Sequence, residues 1–233
     1  MVPDQDVAGS NPVVFAIEPL RRAFESVQTT GELPTLAAPV LMGYVVWASG
    51  MAFTLNPLGD QGATLPTTLS VPEAARAVVR GRLLVAVVAT APPGLAFVGL
   101  AAAFSPLSIA TSGAVLVATA VGVVATAALA TGIGVAFPRF GAVSVTRNRR
   151  VVVPSKTAAV GYSLSVLVCV GALTAVVLEP IRESIAAALT SPIGPMAALP
   201  VDVLAAGLVL AVASVPICSY RYAVSRIERY RLE

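Results

Sequence analysis

LSIATSGAVLVATAVGVVATAALATGIGVAF, residues 107–137, runs for roughly 30 positions without one charged side chain. Its apolar residues form one run instead of an amphipathic alternation. A fully helical segment of this length is about 45 Å long. A bilayer hydrocarbon core is about 30 Å thick, so the segment must tilt, bend or project beyond it.

The rest of the chain has the same character. Only 12% of its 233 residues are charged and 57% are hydrophobic, whereas soluble domains carry about a quarter charged residues. Five apolar runs are long enough to be read as spanning helices, at about 35–55, 83–104, 107–137, 157–178 and 201–219. The second and third are separated only by the tight turn Ser105-Pro106-Leu107-Ser108. The expected fold is therefore all-α, a polytopic integral membrane protein with about five transmembrane helices. Pro92-Pro93, inside the second run, removes two backbone donors and is expected to kink or break that helix. It is either a packing kink or a moving hinge.

Lysine and arginine give the orientation. Arg76, Arg80, Arg82, Arg139, Arg147, Arg149, Arg150, Lys156, Arg221, Arg226, Arg229 and Arg231 fall on one side, and only Arg21, Arg22 and Arg182 on the other. Twelve against three places the first set in the cytoplasm by the positive-inside rule. The chain then has an extracellular amphipathic segment (1–34), a transmembrane domain (35–219) with a cytoplasmic segment at 56–82, and a basic cytoplasmic tail (220–233). It is expected in the cell membrane as a multi-pass protein, its N-terminus outside. The first residues, MVPDQDVAGSNP, lack the basic and apolar regions of a signal peptide. IEPLRRAFESVQTTGELP (17–34) resembles LEPIRESIAAALTSPIG (178–194), and both precede a span on the expected outer side. That repeat predicts that 1–55 completes an earlier membrane half and that the chain is a C-terminal half or a truncated form.

The polar island LNPLGDQGATLPTTLSVPEAARAVVRGRLL (55–84) stands between the first two spans. Gly59 and Gly62 suit turns with positive φ. Ser70 and Glu73 match a capping box, which predicts a helix starting just after Ser70. Arg76 and Arg80 then share one face, while Ala75, Val79 and Leu83 form another stripe. This helix is expected to run directly into the second span. It suits either a position on the inner leaflet, with its arginines on lipid phosphates, or docking to a soluble partner.

At these residues the chain resembles permease subunits of ABC-2-type exporters. Ser70, Pro72, Arg80, Gly81, Arg82 and Leu83 match a small-Pro-polar-polar … Gly-Lys/Arg-Leu-Leu pattern before a span. Asn56, Pro57, Leu58, Gly59, Asp60 and Gly62 are similar to an Asn-Pro-Leu-Gly-acidic-x-Gly stretch of a prokaryotic subgroup. Gly134, Pro138 and Phe140 resemble that subgroup's Gly-x-x-x-Phe-Pro-x-Phe motif, which a polar loop with a Pro-Ser pair, here Pro154-Ser155, follows. The likeness covers about 55–165, and the chain departs from it in showing five spans where a complete half has six. It implies an ATP-driven exporter permease coupled to a separate ATPase subunit, with a second permease half or a homodimer completing the transporter. Ser70, Pro72, Glu73, Arg76, Arg80, Gly81 and Arg82 are the implied coupling residues, and Pro92 and Pro93 the hinge candidates.

Other features narrow the function classes. No Walker A pattern occurs, so ATP hydrolysis is expected in another polypeptide. Histidine is absent, and no nucleophile–base pair, paired carboxylates or metal-ligand cluster stands out. No enzyme activity, cofactor or metal is therefore expected. Cys169 and Cys218 lie in apolar runs and read as packed hydrophobes. The 138–156 loop has five cations and no acid; it suits anionic headgroups, or a second ATPase contact. No nucleic-acid-binding module surrounds it. SYRYAVSRIERYRLE (219–233) reads as a basic interfacial helix with Tyr220, Tyr222 and Tyr230 near the headgroups. Asp202 is expected at the outer interface. Thr111, Ser112, Thr119, Thr126 and Thr131 could line a path or serve helix packing. The rival to the permease reading is a non-transport membrane scaffold or anchoring subunit.

Overall fold

The structure is a computed structural model that describes residues 21, 25, 27–71, 73–146, 149–178, 183 and 201–230. Among the described residues, helices occupy the five apolar runs: α1 (Ala37–Phe53), α3 (Ala74–Ala103), α4 (Ile109–Ala136), α5 (Lys156–Val177) and α6 (Val201–Glu228). A 3₁₀ turn (Gly59–Thr64) and a short helix α2 (Leu65–Leu69) connect α1 to α3, and an antiparallel hairpin of β1 (Ala142–Thr146) and β2 (Arg149–Val152) precedes α5. The described residues are thus helical apart from that hairpin and the connecting turns. α3, α4 and α5 are long and apolar enough to cross a membrane, and α1 is a shorter apolar helix.

α4 is the central helix and packs against α1, α3, α5 and α6. Its sequence explains that position. Small residues such as Ala118, Gly122, Ala125, Ala127 and Ala130 let neighbours approach from several sides. A methyl group on Gly122 would press on Val46 of α1, and one on Gly132 would meet Ser219 of α6. Ser108 starts α4 as N-cap, accepting the Thr111 amide at 3.1 Å, and Ser155 starts α5 likewise on Ala158.

Hydroxyls within the bundle are used for packing. Thr119, Thr126 and Thr131 are buried, and each donates to the carbonyl four residues earlier. Ser49 of α1 lies 3.1 Å from the Thr126 hydroxyl, and Tyr162 of α5 donates to the Trp47 carbonyl at 2.8 Å. Hydrogen bonds between helices in this setting contribute about 1 kcal/mol each. Tyr162→Phe, which keeps the ring, is expected to lower stability by about that amount. Equilibrium unfolding in mixed micelles measures it, and an unchanged midpoint would show the hydroxyl to be idle.

Four local expectations need correction. The capping box does not form. Pro66, at the start of α2, nucleates an earlier helix, and Ser70 is its C-cap, donating to the Thr67 carbonyl at 2.7 Å. Glu73, at φ +62°, then redirects the backbone so that α3 begins at Ala74. Of the kink or break expected at Pro92 and Pro93, the break does not occur, since α3 continues from Ala74 to Ala103. Both prolines are exposed, while Gly94 and Val98 beside them are buried, Gly94 closely against Val45 of α1, so packing holds the helix through the missing donors. The polar 138–156 loop contains the hairpin, whose β-branched residues (Val143, Val145, Thr146, Val151, Val152) suit strands. Finally, the boundary between span and tail at 219/220 falls inside α6, one continuous helix to Glu228.

The Glu-Pro-Leu start of the first repeat segment and almost all of the second lie outside the described residues, as does Pro72. Asp202 lies at the start of α6.

Candidate functional site

The motif-bearing residues converge on one end of the bundle. There the C-terminus of α1, the 55–74 connection, the start of α3, the end of α4, the start of α5 and the end of α6 meet. A buried apolar cluster unites them: Leu58, Leu65, Ala75, Val79, Val135, Ala223, Val224 and Ile227, with Leu83, Tyr220 and Tyr230 packed against it. The Ala75/Val79/Leu83 stripe read from helical spacing therefore meets protein, chiefly α6 and the connection.

The Asn56 side chain forms the polar centre of this end. It is nearly fully buried, at 3% exposure. Its Nδ2 donates to the Arg139 carbonyl at 3.0 Å, and its Oδ1 accepts the Arg139 amide at 3.2 Å. One amide thus satisfies both backbone groups of a residue 83 positions away, as a neighbouring strand would. Glycines make the approach possible. A Cβ on Gly59 would collide with the Arg139 carbonyl and with Asn56 itself, and a Cβ on Gly134 would collide with the Leu55 carbonyl. Gly59 is needed for space; of the two turn glycines only Gly62, at φ +51°, takes the positive-φ role. Pro57 lies against Gly134, and Phe140 stacks at a tilt on Tyr230, ring centroids 6.2 Å apart. Pro138 is half-buried beside them. Ser155 adds a further tie, donating to the Phe137 carbonyl at 3.0 Å.

The arginines of the expected coupling segment differ in their surroundings. Arg82 Nη1 donates to Asp60 Oδ2 at 2.7 Å and to the Phe53 carbonyl at 3.2 Å. It ties α3 to the last turn of α1, which suits a carbonyl end that carries partial negative charge. Arg80 donates through Nε to the Tyr220 hydroxyl of α6 at 3.1 Å. Among the described residues, Arg76 makes a loose, exposed ion pair with Glu73 at 3.7 Å, of a kind worth little in water. Gly81 is exposed, and a methyl group there would meet nothing within 4 Å. Ser70 and Glu73 line a groove of about 300 Å³ between α2 and the end of α6, with Ile227, Glu228 and Tyr230 on its far wall.

Sequence spacing gave no sign of two partners. Asp60, 22 residues from Arg82, holds that arginine, whereas the sequence marks it only as the acidic position of the Asn-Pro-Leu-Gly-acidic-x-Gly stretch. Its being one of two acids in a stretch with three arginines was the available signal. Tyr220, expected near headgroups, instead accepts from Arg80; Tyr230 packs on Phe140, and Tyr222 alone of the three is exposed.

The cations Arg76, Arg80, Arg82, Arg139, Lys156, Arg221, Arg226 and Arg229 lie on the elements that form this end. Among the described residues, no group of three or more histidine, cysteine or carboxylate side chains is placed to hold a metal. What this end can do is mechanical and electrostatic. It ties the ends of α1, α3, α4 and α6 into one unit and presents Arg76 on the outside. No family model, curated protein or solved structure matches the chain.

Proposed function

We propose that this chain is the membrane permease subunit of an ATP-driven exporter of the ABC-2 type. Its five long helices span the cell membrane, the latched basic end lies in the cytoplasm, and a separate ATPase subunit docks there. The observation that carries this reading is the continuity of α3. Residues 74–82, bearing exposed Arg76, belong to the same rod as the apolar segment down to Ala103. No flexible linker absorbs a push on Arg76. Through Arg82 and Asp60 the same push reaches α1, and through the Arg80–Tyr220 bond it reaches α6. Charge asymmetry supports the orientation, since the elements at this end hold most of the lysine and arginine.

The packing use of the hydroxyls in α4 favours a transport path between two permease halves, either copies of this chain or a partner half. A non-transport scaffold that recruits cytoplasmic partners is the second reading; the engagement of Arg80 and Arg82 within the chain favours it, because it leaves a smaller cationic surface for an ATPase.

Arg76→Cys, in a background without Cys169 and Cys218, tests the proposal. Treated with a short bifunctional cross-linker in native membranes, it is expected to give an adduct with a nucleotide-binding subunit, and ATP is expected to change the yield. Adducts to lipid alone, or to soluble proteins without an ATP-binding site, would overturn the permease reading.

A further inference from the structure

A second cleft, of about 450 Å³, opens beside the Arg82–Asp60 pair, between α3 and the end of α1. Its polar wall is Asp60, Gln61 and Arg82, Gly81 leaves it open on one side, and Val78 and Val85 form an apolar wall. Small-molecule sites occupy about 300–1,000 Å³. The geometry points to a binding site for an aminophospholipid, a zwitterionic headgroup with a primary ammonium, seated with its phosphate on Arg82 and its ammonium on Asp60.

Three observations carry this. First, the pair has capacity to spare. A guanidinium has five N–H donors, and among the described residues the two bonds Arg82 makes both leave from Nη1. The Nε and Nη2 donors remain for a phosphate, which guanidinium matches in shape. Asp60 accepts through Oδ2, and its Oδ1 makes no bond to another described residue. Second, opposite charges stand side by side at 2.7 Å. A two-carbon bridge between phosphate and ammonium sets the two ends of the ligand against them in the opposite order. An anionic headgroup without an ammonium would place its charge beside the Asp60 carboxylate. Third, the apolar wall continues along α3. Val85 is 55% exposed, and Leu84 and Val88 beside it are 64% and 69% exposed, which gives acyl chains a surface leading away from the polar wall.

This inference shares with the proposed function only the placing of α1 and α3 in a membrane; it needs no ATPase. The test uses the full chain, delipidated in detergent and offered equal amounts of phosphatidylethanolamine and phosphatidylcholine with identical acyl chains. Retained lipid is counted by native mass spectrometry. The two headgroups carry the same charges, but only the first has ammonium N–H donors. A charge-assisted hydrogen bond of this kind corresponds to about tenfold or more in affinity, so phosphatidylethanolamine should be retained about tenfold over phosphatidylcholine. Asp60→Asn should remove most of that preference. Gly81→Leu should remove it by filling the cleft, and should do so without lowering the unfolding midpoint, because its first carbon meets no neighbour. Equal retention of the two lipids, or a preference that survives Gly81→Leu, would overturn the assignment. A chain that stays out of the membrane fraction would instead overturn the membrane reading that both proposals share.

Discussion

Gly59→Ala is expected to be the most damaging small substitution at the latched end of the bundle. The added methyl group lands on the Arg139 carbonyl and on the Asn56 amide. A backbone carbonyl cannot rotate aside as a side-chain tip can, so either α1 and α4 separate or the Asn56–Arg139 pair breaks. Overpacking alone costs about 1–3 kcal/mol, and breaking bonds to buried backbone groups adds about 1–3 kcal/mol. The sum, about 3 kcal/mol or more, should lower the unfolding midpoint by on the order of 10 °C. Gly134→Ala should behave alike, because its methyl group meets the Leu55 carbonyl. Gly81→Ala serves as the contrast. It sits in a helix with open space around it and should be neutral or stabilising by up to about 1 kcal/mol. Thermal unfolding in one detergent compares the three. A Gly59→Ala protein that melts with the parent would mean that Arg139 does not approach Asn56 this closely.

Asn56→Ala should cost about 2–3 kcal/mol, since it orphans both the amide and the carbonyl of Arg139 in a buried place. The informative comparison is Asn56→Asp. Aspartate can still accept from the Arg139 amide, but it turns an acceptor toward the carbonyl and buries a charge. It should therefore recover none of the lost stability. If aspartate restored the parental midpoint, only the Oδ1 bond would matter, and the paired recognition of Arg139 would be wrong. Since the same residues join α1 to α4, both substitutions should also loosen the hairpin that follows Arg139. Faster amide exchange in β1 and β2 would report this.

Much of the helical frame was legible in the sequence because apolar character is a property of whole segments. A run such as 107–137 needs no knowledge of its neighbours to be read as a long apolar helix, and α4 ends at Ala136, just before Pro138. The Ala75/Val79/Leu83 stripe was equally local, being fixed by 3.6 residues per turn. Local signals failed where two of them competed. Ser70 and Glu73 spell a capping box, but Pro66 four residues earlier started a helix that used Ser70 as its end. The prolines at 92 and 93 argued for a kink or a break, and the helix continues through them where Gly94 and Val98 are packed.

The motif residues were legible as a set but not as a site. Nothing in the spacing of Asn56, Gly59, Gly134 and Pro138 says that they touch, or that Asp60 holds Arg82 and Tyr220 receives Arg80. Composition and periodicity, by themselves, determined that the chain is a set of apolar helices with most of its lysine and arginine in one set of connecting and flanking segments, because hydrophobicity and charge act residue by residue. Only the tertiary structure decided what those connections do to one another. Hydrogen bonds and close backbone contacts reach only a few ångströms, so whether Asn56 meets Arg139 depends on how α1 and α4 pack and not on either stretch alone.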